Sequence, residues 1–130
     1  MAVLRGEITV GRLTFLAVKR HYVDLKKGAK RGLWFDPARA AYMIDFFPKF
    51  LRHIRGELTG KPINLEPWQM FWRANQFGWR REDGTRRFRQ WYEEVARKNG
   101  KSTTLSGIGL HLTAFDGEPG AKVYTGATKL

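Results

Sequence analysis

Lys101 and Ser102 follow a glycine, Gly100, and open a segment in which Leu105, Ile108, Leu112 and Phe115 recur at helical spacing. A glycine turn delivering Lys-Ser-Thr to a helix start is a phosphate chemist's arrangement. Backbone N–H groups at a helix N-terminus attract anions, a lysine reaches the outer phosphates, and a hydroxyl can join a Mg²⁺ shell. Gly100-Lys101-Ser102 fits the end of the G-x-x-x-x-G-K-[ST] pattern, while Val95 stands where its first glycine belongs. The plainer reading of the same residues is a glycine turn followed by an ordinary helix.

Positioning such a loop takes a strand before it and a helix after it. Phe88 to Ala96 reads as the lead-in strand, although Glu93 and Glu94 fall where a buried parallel strand is apolar. Leu105, Ile108, Leu112 and Phe115 mark the expected buried face of the helix, with Gly107 and Gly109 allowing close packing. Asp116-Gly117-Glu118-Pro119-Gly120 ends it, Ala121 to Thr125 reads as a second strand, and Thr128-Lys129-Leu130 as the opening of another element. Upstream, Asp83-Gly84 signals a hairpin within Trp79 to Phe88. Arg80, Arg81, Arg86 and Arg87 flank that turn and are candidate contacts to nucleic-acid phosphates; a solvated charged hairpin is the alternative.

Ala96-Arg97-Lys98-Asn99-Gly100-Lys101-Ser102 resembles the variant phosphate loop, [AS]-R-x-x-G-K-[ST], of the large terminase subunits of tailed phages. Ala29 to Asp36, Leu65-Glu66-Pro67-Trp68-Gln69, Phe77-Gly78-Trp79, Asp83 to Phe88 and Gly117 to Ala121 resemble that family too, in its order, so the likeness runs from about Val18 to Lys129. The resemblance implies the N-terminal part of an ATPase motor that packages double-stranded viral DNA into procapsids in the host cytoplasm, with ATP and Mg²⁺ as cofactors. A portal, a small terminase subunit and further copies of the chain would be its partners. It also implies residue roles. Lys101 would neutralise the β- and γ-phosphates, Ser102 would meet Mg²⁺ with Thr103 the less direct choice, and N–H groups around Asn99 and Gly100 would cradle phosphate. Arg97 would stabilise charge developing on the γ-phosphate; Lys98 is equally a solvent-facing charge. Gln69 would read the adenine edge, since an amide both donates and accepts.

The first half reads as helical. Phe15, Val18, Tyr22 and Leu25 recur at helical spacing and Lys26-Lys27-Gly28 suits a helix C-terminus, after a loose arm or single strand over residues 1–12. Asp36-Pro37 reads as an N-cap and first helical residue. Ala40, Met43, Ile44, Phe47, Leu51 and Ile54 form one face, with a kink or a break expected at Pro48. Residues 55–64 are turn-rich, and Glu66-Pro67 starts a short helix with Trp68, Phe71 and Trp72 on one face. The expected fold is α/β, a helical half up to Phe77 followed by an incomplete phosphate-loop sheet of the hairpin, the pre-loop strand and Ala121 to Thr125.

At 130 residues and 42% hydrophobic, the chain is one domain's worth and can bury a core. Lys and Arg number 24 against 12 Asp and Glu, a net charge of +12 that points to a polyanionic partner or a solvated basic surface. With no cysteine, disulfides and thiolate chemistry are excluded. His21, His53 and His111 lack metal-ligand spacing and read as ordinary surface or helix histidines, and no apolar run is long enough for a membrane span. The family's strand ending in Asp-Glu has no good candidate, since Leu112 to Asp116 lies on a helix, and its nuclease residues are not found. Three readings follow: an ATP-binding segment, a basic nucleic-acid-binding module without catalysis, or a truncated or prophage remnant.

Overall fold

The computed structural model describes residues 1–117 and 119–126, which fall into two compact units. The first comprises Met1–Asp45 and Leu65–Trp91, the second Phe46–Asn64 and Tyr92–Leu130. The element expected at Thr128-Lys129-Leu130 lies outside the described residues.

In the first unit, helix α1 (Arg12–Lys27) is followed by a 3₁₀ turn (Gly28–Arg31) and strand β1 (Leu33–Phe35). Gly32 links turn to strand at φ +63°, a conformation glycine adopts without strain. Helix α2 (Pro37–Phe50) starts as its Asp36-Pro37 signal predicts: Asp36 Oδ1 accepts the Arg39 N–H at 3.0 Å. Helix α3 (Pro67–Gly78) runs directly into strand β2 (Trp79–Arg81). β1 and β2 pair antiparallel with Leu33 opposite Arg81 and Phe35 opposite Trp79. Of the arm expected at residues 1–12, residues 2–8 form turns and bends with no strand, Arg12 already belongs to α1, and the Met1 ammonium donates to the Tyr22 hydroxyl at 3.0 Å.

The core of this unit is aromatic around one imidazole. Phe35, Phe71, Tyr22 and Trp79 all meet His21 edge-on, at centroid distances of 5.3 to 5.8 Å. A three-way hydrogen-bond cluster ties the ring in place. Asn75 Nδ2 donates to the Phe71 carbonyl at 2.8 Å, so Asn75 Oδ1 faces the ring. His21 Nδ1 lies 2.9 Å from that oxygen, and the Trp79 indole N–H lies between the two, 3.1 Å from Nδ1 and 3.2 Å from the oxygen. Burial lowers the His21 pKa, against the opposing pull of Asn75 and of Asp24, and holds the ring neutral. His21 is a half-buried helix residue ringed by aromatic side chains, so of the expected surface or helix histidine the helix part holds.

The second unit packs the end of α2 against helix α4 (Lys101–Ala114). Phe46 and Phe47 are fully buried, and Phe46 contacts His111 and Phe115 at 5.2 Å each. A methyl group at Gly107 would sit 2.7 Å from both Phe47 Cε1 and Leu51 Cδ1, so glycine there is what lets the helices touch. The helix passes through Pro48 and stops at Phe50, so of the two alternatives, a kink or two abutting helices, the second does not occur among the described residues. Residues 51–63 instead fold back on themselves, with His53 N–H on the Lys61 carbonyl and Ile63 N–H on that of Leu51, leaving Ile54 exposed. His111 is buried too, with Asp116 at 3.7 Å.

Three expectations need correction. Residues 88–96 form no strand, and neither do Ala121 to Thr125; the sheet among the described residues is β1 with β2 alone. A strand persists only where a neighbour takes up its N–H and C=O groups, and no described segment pairs with either stretch. Glu93 and Glu94 add the cost of burying charge. The fold remains α/β, but the α4 face is also rotated from the expected one. Thr104, Gly107, Ile108 and His111 are buried, whereas Leu105 is half exposed and Phe115 is 40% exposed. Small residues at 104 and 107 allow an approach that the bulkier leucine face does not.

Candidate functional site: the loop before helix α4

Residues 96–103 are all exposed and lie at the N-terminus of α4. Two left-handed residues shape the loop, Lys98 at φ +67° and Gly100 at φ +70°, and Asn99 Nδ2 reaches back to the Ala96 carbonyl at 3.3 Å. Gly100 is the N-cap and has no side chain to cap with; no acidic residue lies in the first turn. The N–H groups at the start of the helix therefore keep their capacity to bind an external acceptor.

The three hydroxyls that follow Lys101 are not equivalent. Thr104 is buried and its Oγ1 donates back into the helix, to the carbonyls of Lys101 at 2.9 Å and Gly100 at 3.1 Å. Ser102 and Thr103 face solvent beside the exposed Lys101 amine. An amine, exposed hydroxyls and uncapped N–H groups on one helix end form a donor set that fits a triphosphate with its Mg²⁺. Arg97 and Lys98 add two further exposed cations to the loop.

Gln69 lies in the other unit, in α3, and is buried. Its Oε1 accepts the Glu66 N–H at 2.9 Å, while the Glu66 side chain accepts from the backbone of Gln69, a reciprocal capping box. That cap fixes the amide plane, a role the Glu-Pro-Trp-Gln spacing could have announced. Trp68 and Trp72 meet edge-on beside it at 4.9 Å.

The hairpin forms as Asp83-Gly84 predicts. Gly84 has φ +79°, Asp83 Oδ1 accepts from both the N–H and the hydroxyl of Thr85, and Arg87 N–H bonds the Trp79 carbonyl. Those two Thr85 bonds, side chain first, hold the Asp83 carboxyl below its ordinary pKa, assisted by Arg81 and Arg89. The arginines have different fates. Arg80 is buried, Arg86 lies over the Phe77 ring, and Arg87 donates to Asp24 while stacking on Phe88 and Trp79. Arg81 alone of the four is exposed.

Asp24 is the buried anion of this region. Arg31 and Arg87 both donate to it, one to each carboxylate oxygen. Burial raises its pKa, but the hydrogen bonds and charges of Arg87 and then Arg31 outweigh that effect and leave it below the ordinary value. No periodicity in the sequence announces this cluster.

Among the described residues, no group of three or more His, Cys, Asp or Glu could hold a metal ion, and no helix is long and apolar enough to cross a membrane. No curated protein and no solved structure matches the chain. Residues 67–130, which contain Gln69, the hairpin and the entire loop, match the family model described as terminase large subunit, ATPase domain.

Proposed function

We propose that the chain binds Mg²⁺–ATP through the loop at Ala96–Thr103, as the nucleotide-binding segment of a terminase motor that packages double-stranded viral DNA. The observation that carries this reading is the uncapped N-terminus of α4, where Lys101, Ser102 and two left-handed residues stand within the stretch that matches the terminase family. Lys101 neutralises the outer phosphates. Ser102 offers its hydroxyl to Mg²⁺ with Thr103 beside it, and N–H groups from Asn99 onward hold phosphate oxygens. Arg97 supplies positive charge where the γ-phosphate becomes more negative.

Titration calorimetry with Mg²⁺ and a non-hydrolysable ATP analogue tests the reading. Wild-type chain binds with measurable heat, and a folded Lys101→Ala variant loses at least tenfold in affinity. Equal affinity in the two proteins would remove the loop from the account.

A further inference from the structure

Helix α1 carries a surface that the nucleotide reading does not use. Its five cations, Arg12, Lys19, Arg20, Lys26 and Lys27, are all exposed. At 3.6 residues per turn they fall within an arc of roughly 120°, in two rows at seven-residue spacing: Arg12, Lys19 and Lys26 in one, Arg20 and Lys27 in the other. The helix has a single acid, Asp24, which is buried outside this arc and bonded to Arg31 and Arg87. None of the five cations is in an ion pair among the described residues. Arg20 is held against the Phe88 ring at 5.1 Å, and Lys30 extends the exposed charge into the 3₁₀ turn. A surface built for solubility intersperses both signs; this one does not.

We infer that this face of α1 binds the phosphate backbone of duplex DNA, independently of base sequence and of the nucleotide loop. The row from Arg12 to Lys26 is about 21 Å long, and duplex DNA offers about 12 phosphate charges over that axial length. Within a row the seven-residue step separates neighbours by roughly 10 Å, beyond the physiological Debye length, whereas Lys19 and Arg20, and Lys26 and Lys27, are adjacent in sequence and repel, a repulsion that a bound polyanion relieves. A lipid surface fits less well. Between the charged rows the helix offers only Leu16 and Val23; its other exposed apolar side chains, Leu13, Phe15 and Leu25, lie outside the arc and form no single stripe alongside it.

The test is fluorescence anisotropy of a 30-bp duplex against the 130-residue chain across a salt series. Lys19→Gln/Lys26→Gln/Lys27→Gln is compared with Lys49→Gln/Lys61→Gln/Lys122→Gln, which removes the same charge elsewhere. The α1 triple variant should lose roughly tenfold or more in affinity and about 2.7 in the slope of log K against log salt, from three phosphate contacts at about 0.9 each. Its affinity for the Mg²⁺–ATP analogue should equal the wild type's, so failure of this inference and failure of the nucleotide reading are separable. Equal losses in the two triple variants would overturn the inference in favour of diffuse charge. So would displacement of the duplex by polyglutamate at equal charge concentration, which would mark a site for acidic protein.

Discussion

Arg87 donates from Nη1 to Oδ2 of Asp24 at 2.6 Å across 63 residues of sequence, joining the hairpin to α1. Arg31 takes the other carboxylate oxygen. The pair is nearly dry, with 14% of the Arg87 side chain and 3% of Asp24 exposed. Arg87→Met should therefore cost about 3 kcal/mol, because it leaves a buried carboxylate with one partner in place of two. Urea unfolding measures it. Arg81→Met, on the exposed side of the same hairpin, should cost under about 0.5 kcal/mol.

Acid should destabilise the chain in two windows. His21 has a folded pKa below the ordinary imidazole value of 6.5, so the unfolded chain takes up its proton first. Its contribution is complete above the unfolded pKa and is lost as pH falls through the folded one. Asp24 is likewise depressed below the ordinary carboxyl value of 3.8, so its contribution is lost in a lower window beneath that value. Unfolding free energies measured from pH 7.5 to pH 3 should fall in both windows. His21→Gln should flatten the upper one only.

Two glycines of α4 should respond to alanine with opposite signs. At Gly107 a new Cβ meets Phe47 Cε1 at 2.7 Å, and Phe47 is fully buried, so overpacking of about 1–3 kcal/mol exceeds the helix-propensity gain. At Gly109 the nearest atom, Val123 Cγ1, is at 3.7 Å, an ordinary contact. Gly109→Ala should stabilise by up to about 1 kcal/mol. Thermal denaturation of the two variants reads both signs.

The start of α2 and the Asp83-Gly84 turn were legible because single residues set them: an Asp before a Pro, and a glycine at positive φ. The glycine turn at Gly100 and the start of α4 after it were legible for the same reason. The strands after Phe88 were misread because strand formation depends on a neighbour, which local sequence does not contain. The α4 face was misread because leucines outweigh Thr104 and Gly107 in any hydrophobic count, although close approach favours the small side. The Asp24 cluster joins residues 24, 31 and 87, which share no local pattern. The α1 cation rows, by contrast, stood in the sequence at a plain seven-residue spacing.

Lys98 tests what the loop needs from its backbone. At φ +67° a lysine is strained by about 1–2 kcal/mol relative to glycine. If that conformation is its contribution, Lys98→Gly should keep affinity for the Mg²⁺–ATP analogue within about threefold, whereas Ser102→Ala should weaken the Mg²⁺ dependence. Calorimetry with and without Mg²⁺ distinguishes the two.

The most direct test is to follow backbone amide resonances in the ¹⁵N-labelled chain as Mg²⁺ and a non-hydrolysable ATP analogue are added. The account predicts the largest shifts at Asn99 to Thr103, where uncapped N–H groups meet phosphate, and their loss in Lys101→Ala. Shifts centred on α1, with the amides of residues 99–103 unmoved, would contradict it.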